Sequence, residues 1–236
     1  MKVLRPNEIL RWITERKYLF FCFLLLSFVF MQLVDPGYAD ARNESFSITL
    51  LHAFILSLIS WDLLRLRTTR ILWLLGFVLL TLFSKYAFSQ GEDGLALIEV
   101  ALALRIGFCV VIIWLLISSL LRKVELGQDD IFAALSVYLL VGIVFAEAYL
   151  LLLVNYPQET LSIPFGELKI GDVFYFSFIT LSTIGFGDIT PLSPVARGLT
   201  IVEGVIGVTF LATIVARTVS RQHHRDQASE NRLDQD

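Results

Sequence analysis

The chain is short of charge. Asp, Glu, Lys and Arg make up 17% of its 236 residues, against about 25% in an ordinary soluble domain. It also has few cysteines. Cys22 and Cys109 both lie inside apolar runs, which excludes a disulfide scaffold and reads as two buried, inert thiols. No internal repeat, low-complexity tract or collagen-like pattern is present, and disorder is excluded by what fills the remaining positions. Hydrophobic residues account for 56% of the chain, and its mean hydropathy is +0.72. A globule of this size has too little interior for that much Leu, Ile, Val and Phe. The apolar residues must face lipid.

A helix needs about 20 apolar residues to cross a hydrocarbon core of about 30 Å. Six stretches qualify: Lys17–Val34, Phe46–Leu64, Ile71–Phe88, Leu95–Leu121, Ile131–Val154 and Val195–Ala216. A seventh, Val173–Ile184, is too short to cross and runs into a Gly-rich segment, the pattern of a re-entrant hairpin. The fold expected is an all-α membrane protein with a re-entrant helix between its fifth and sixth spans.

Basic residues orient the spans. Fourteen of the nineteen Lys and Arg fall on one side, in the N-terminal arm, the second–third and fourth–fifth loops and the C-terminal tail. The opposite side has Arg42, Lys85 and Lys169. The positive-inside rule places both termini in the cytoplasm, as an even number of spans requires. A cleaved leader ending near Ala39-Asp40-Ala41 is the competing reading of residues 1–41, but the apolar run exceeds the usual 7–15 residues. Asn43-Glu44-Ser45 matches a glycosylation acceptor, a triplet common by chance. Asp129 and Asp130 are expected to cap the fifth span, and Asp172 the re-entrant helix.

The segment with chemical content is Thr180-Leu-Ser-Thr-Ile-Gly-Phe-Gly-Asp-Ile189, after the aromatic stretch Phe174-Tyr-Phe-Ser-Phe178. Non-helical backbone at membrane depth is tolerated only where protein buries it or water lines it. Gly185 and Gly187, at alternate positions, admit positive φ. Alternating backbone handedness turns successive carbonyls toward one side, with Ile184 and Phe186 facing away into packing. Four copies around an axis would stack carbonyl rings that replace the water shell of a cation. The Thr183 hydroxyl could add an innermost oxygen ring. Thr183 to Gly187 extend at most about 17 Å, so the inner half of such a pathway must be a wetter cavity.

This segment resembles the signature of tetrameric potassium channels, with Phe186 where many members have Tyr. Asp188 matches the acidic residue outside the filter, Arg197 the basic residue opening the inner helix, and Gly207 the inner-helix hinge glycine. The resemblance is closest to short prokaryotic channels of the two-helix pore type and covers roughly Asp129–Ser220. It implies a selectivity filter of Thr183, Ile184, Gly185, Phe186 and Gly187. Potassium would be bound by the carbonyls of Thr183 to Phe186, with support from Asp188, Tyr175, Thr180 and Ser182. It further implies a homotetramer in the lipid bilayer of a cell membrane, a prokaryotic inner membrane by the same likeness, with no catalysis, no nucleic-acid partner and no cofactor beyond potassium ions. Residues 1–124 would form a four-helix N-terminal bundle, 125–220 the pore domain and 221–236 a polar cytoplasmic tail.

Six spans with a pore loop between the last two also resemble voltage-gated channels, whose fourth span needs several Arg or Lys at three-residue spacing. Leu95–Leu121 contains only Arg105, so steep voltage gating is not expected. Arg105 needs a partner in the membrane; Glu99, Glu147 and Glu203 are the candidates. The short stretch Arg122–Asp130 favours a bundle docked on its own subunit's pore. About twenty polar residues follow Ala216, too few for a soluble regulatory domain. A solvated, partly disordered tail is expected there, with His223 and His224 a conceivable pH sensor. The competing functions are a non-selective cation channel, which would require a disturbed filter, and a potassium-uptake subunit, which carries four pore loops per chain. An intramembrane hydrolase needs a nucleophile–base pair at depth. His52, alone within a span, has no Gly-x-Ser-x-Gly partner.

Overall fold

Leu, Ile, Val and Phe dominate the apolar helical stretches, because in lipid the backbone must satisfy its hydrogen bonds internally and helix is the simplest way to do so. The computed structural model describes residues 17–34, 75–76, 78–84, 86–87, 90, 94–122, 128–163 and 168–233, with side chains as far as Thr213. Five helices and one small sheet carry the architecture: α1 (Lys17–Val34), α2 (Leu95–Leu121), α3 (Gln128–Asn155), β1 (Leu161–Ser162), α4 (Ile170–Leu181), β2 (Thr190–Pro191) and α5 (Pro194–Leu233). Residues 75–76, 78–84 and 86–87 are also helical. The span expected at Phe46–Leu64 lies outside the described residues, as does most of the stretch between Arg122 and Asp130.

Among the described residues, three helices are long and apolar enough to cross a membrane: Leu95–Leu121, Asp129–Asn155 and Pro194–Thr213. Tyr18–Leu33 and Ile170–Leu181 are shorter apolar helices. With a rise of 1.5 Å per residue, the 12 residues of α4 reach about 18 Å, well short of the bilayer core.

α3 is the hub. It packs against α1, α2, α4 and α5, and α1 also packs against α4. Phe21, Cys22 and Leu25 of α1, Ile112 and Leu116 of α2, Val137 and Leu140 of α3, and Phe174 of α4 share one buried cluster. A second cluster at the other end joins Phe145 and Tyr149 of α3 to Val173 and Phe176 of α4 and to Leu161 and Ile189. α1 therefore shares one buried core with α2, α3 and α4. Its Phe28 meets Phe174 edge-on at 6.1 Å, and the Gln32 carbonyl lies over Gly171, where a Cβ would come within 2.8 Å.

Two expectations about helix ends are corrected. The Asp129 carboxylate accepts from the backbone N–H groups of Tyr18 (3.4 Å) and Leu19 (3.2 Å), so it caps α1 rather than its own helix. Early N–H groups of any helix are orphan donors, and here the neighbour's acid lies close enough to serve them. The expected disordered tail is instead helix: α5 continues to Leu233. No Gly or Pro follows Gly207 to stop it. Its 40 residues run about 60 Å, roughly twice the hydrocarbon core.

A two-residue antiparallel sheet was not visible in the sequence. Leu161 pairs with Pro191 and Ser162 with Thr190, and the Leu192 N–H donates to the Thr160 carbonyl at 3.0 Å. This clasp ties the segment after α3 to the segment that follows the Gly-rich strand.

Candidate functional site: the re-entrant loop

α4 starts where the backbone N–H of Lys169 donates to the Asp172 carboxylate at 2.8 Å, so Asp172 serves the helix start as the sequence suggested. The helix presents Val173, Phe174, Phe176, Ser177, Ile179 and Leu181 to the interior. At its other end the chain folds back on itself. Thr183 N–H donates to the Thr180 carbonyl (2.9 Å), and the N–H groups of Ile184 (2.9 Å) and Gly185 (3.1 Å) both reach the Ile179 carbonyl. Ser182 Oγ donates to the same carbonyl at 3.3 Å.

Beyond Ser182 the backbone takes left-handed φ at every second residue: 62° at Thr183, 50° at Gly185 and 78° at Gly187. Glycine makes two of these cheap. Thr183 is β-branched, and such a conformation costs on the order of 1–3 kcal/mol that its surroundings must offset. No sequence signal distinguishes this threonine from one in a strand. Alternation of this kind lets successive carbonyls line one side of a strand. The side chains of Ile184 and Phe186 are 57% and 71% exposed in the single chain. Packing against a further surface, as expected for them, is not supplied by the described residues of the chain.

Past the strand, Tyr175 on α4 donates its hydroxyl to Asp188 at 2.8 Å. This pins the outer end of the strand to the middle of the short helix. Arg197 Nε donates to the Pro191 carbonyl (3.2 Å), and Ser193 Oγ accepts from Ala196 N–H at the start of α5 (3.2 Å). Both contacts brace the descent from the strand into the last helix.

Of the intramembrane charges, Arg105 on α2 forms an ion pair with Glu147 on α3. Glu147 is buried, and a quarter of the Arg105 side chain is exposed. Glu99 is half-buried on α2. Glu203 has other partners. It is fully buried on α5, with Oε1 2.5 Å from Ser177 Oγ and Oε2 accepting from the Tyr149 hydroxyl at 2.9 Å. Sequence reading singled out Glu203 for its charge and missed Ser177 and Tyr149. A serine among phenylalanines and a tyrosine in a run of leucines look like packing residues until their polar atoms are found together.

Gly207 was expected as a hinge. α5 runs through it unbroken, and what the missing side chain permits is close contact. A Cβ there would lie 2.0 Å from the Leu181 carbonyl oxygen at the end of α4. The last helix thus touches the short helix where the latter turns into the strand.

A family model described as "Ion channel" matches residues 135–222, the stretch that holds α4, the strand and most of α5. The chain is 33% identical over 106 residues to the protein LctB of Bacillus caldotenax, covering 43% of this chain and 78% of that one. It is 49% identical over 49 residues to two-pore potassium channel 4 of Arabidopsis thaliana, and 52% identical over 40 residues to the voltage-gated potassium channel Kch of Escherichia coli. These matches take in 21% and 17% of this chain and only 17% and 10% of those relatives. No solved structure matches it.

Proposed function

The chain belongs to the potassium-channel superfamily of ion channels, and from that premise we propose that four copies form one potassium-selective pore that conducts passively. The observation that carries this reading is the left-handed backbone at Thr183, Gly185 and Gly187. With handedness alternating, the carbonyls of Thr183, Ile184, Gly185 and Phe186 can face a common axis and take the place of a cation's hydration shell. One chain supplies one strand, so a ring requires further copies. The exposed Ile184 and Phe186, together with the apolar exposed face of α5 at Val195, Ile201, Val205 and Val208, give those copies a surface to pack on.

Each neighbouring element has a share in this. α4 ends beside the strand, where the partial negative charge of its C-terminus favours a cation. Tyr175 and Asp188 hold the strand's outer end, and Ser182 and Thr180 help fold its inner end against α4. α5 is the inner helix that would line the cavity, and α3 the outer one. We further assign six spans to each subunit, with both termini in the cytoplasm of a prokaryotic inner membrane, on hydropathy and the distribution of basic residues.

The protein is a multi-pass membrane protein and a channel, and its assigned work needs no reaction chemistry. The test is reconstitution into potassium-loaded liposomes with a flux assay. Potassium efflux should far exceed sodium efflux from matched sodium-loaded liposomes. Equal fluxes of the two ions would overturn the selectivity.

A further inference from the structure

Three helices meet at one carboxyl group. Glu203 of α5, Ser177 of α4 and Tyr149 of α3 are all fully buried. Ser177 Oγ lies 2.8 Å from the Gly142 carbonyl and 2.5 Å from Glu203 Oε1. The Tyr149 hydroxyl lies 2.9 Å from Glu203 Oε2 and 3.2 Å from Thr200 Oγ1, and Thr200 donates to the Ala196 carbonyl at 2.8 Å.

We propose that Glu203 is held as a neutral carboxylic acid and is the positioning residue that sets α4, and with it the filter strand, against α5. The role in conduction rests on the channel reading; the protonation state does not.

The protonation follows from counting hydrogens. Carbonyls only accept, and each hydroxyl has one hydrogen to donate. Four of these contacts are shorter than 3 Å: serine to Gly142, serine to glutamate, tyrosine to glutamate, and threonine to Ala196. Ser177, Tyr149 and Thr200 supply three hydrogens. With Ser177 donating to Gly142, the serine–glutamate contact is a hydrogen bond only if the carboxyl carries the fourth. An ionised Glu203 would instead set two acceptors facing one another in the interior. The groups around it fit a neutral acid. α4 presents Ser177, α3 presents Tyr149 and, within electrostatic range, Tyr138, and its own helix presents Thr200. None of these is a cation, and Arg105 is engaged with Glu147.

The positioning follows from register. Ser177 and Leu181 are four apart on α4, and Glu203 and Gly207 are four apart on α5, so each pair lies on one helix face. Glu203 meets Ser177, and Gly207 meets the Leu181 carbonyl. Two contacts one turn apart fix both sliding and rotation of one helix on the other. Between them lies Ile179, whose carbonyl receives the N–H groups of Ile184 and Gly185. A shift of α4 on α5 therefore carries the strand with it.

The experiment uses the full-length protein in liposomes, comparing wild type with Glu203→Gln, Glu203→Ala and Ser177→Ala. At neutral pH the wild-type infrared spectrum should contain a protonated-carboxyl C=O band that Glu203→Gln removes. Glutamine can donate to Ser177 and accept from Tyr149 as the neutral acid does, so Glu203→Gln should keep wild-type potassium flux and potassium-over-sodium selectivity. Glu203→Ala and Ser177→Ala should still assemble, yet lose about tenfold in potassium flux or in selectivity, equivalent to about 1.4 kcal/mol. If Glu203→Ala fails to assemble, Ser177→Ala, which leaves the carboxyl in place, decides the positioning role. A wild-type spectrum without that band overturns the neutral acid. Alanine variants with wild-type flux and selectivity, or a glutamine variant as impaired as alanine, overturn the positioning role. Wild type that passes no potassium defeats the channel reading, while the infrared band still reports on Glu203.

Discussion

At the scale of the residue, the two kinds of glycine in the pore region are set apart by what a methyl group would meet. At Gly185 nothing lies within 4 Å of an added Cβ, yet φ is +50°. The penalty for Gly185→Ala is conformational, about 1–2 kcal/mol, and falls on the carbonyl geometry. Potassium flux should cease while helix content, read by circular dichroism, stays at the wild-type level. At Gly207 the obstacle is the Leu181 carbonyl at 2.0 Å. Gly207→Ala must push α5 from α4, an overpacking cost of about 1–3 kcal/mol. That cost should appear as a lower melting temperature in detergent; an unchanged one would return Gly207 to the role of hinge. The first glycine pattern was legible in the sequence because alternate glycines advertise positive φ. The second was not, because close approach between helices depends on a partner more than twenty residues away in the chain. Thr183 was legible only as an oxygen donor, since nothing in its identity foretells a left-handed backbone.

At the scale of the element, helices were easy to read and their ends were hard. Long apolar runs marked α1 at Lys17–Val34 and α2 at Leu95–Leu121, because lipid leaves such a run few alternatives. Caps are different: which orphan N–H an acid serves depends on tertiary neighbours. Asp129 serves α1, so Asp129→Ala should destabilise the protein by about 1 kcal/mol and Asp129→Asn by less. Thermal unfolding of the purified protein measures both. The α2–α3 junction holds the Arg105–Glu147 pair. Arg105→Gln strands a buried carboxylate and should cost about 3 kcal/mol, the low end for a buried pair because Arg105 is partly exposed. Adding Glu147→Gln should recover most of that loss. A double variant no more stable than Arg105→Gln would show that the pair contributes nothing.

For the whole molecule, α1 and α2 pack on α3 but bring it little charge to move. Arg105 is the only cation within α2. Even if it crossed the full field in all four subunits of the proposed tetramer, the work would be roughly 9 kcal/mol per 100 mV, and its pairing with Glu147 restrains it far below that. Single-channel recordings between −100 and +100 mV, a range of about 200 mV chosen to bracket resting potentials, should show open probability changing only shallowly. A steep sigmoid would refute this.

The tie between Asp129 and the start of α1 also has a consequence in time. Tyr18 and its acceptor are separated by 111 positions. At about 5–20 residues per second, the ribosome needs roughly 6–22 s to make the second after the first. Phe174, against which Phe28 packs, comes later still. α1 is therefore made well before α3 and α4, the neighbours it packs against, and must persist without them until they emerge.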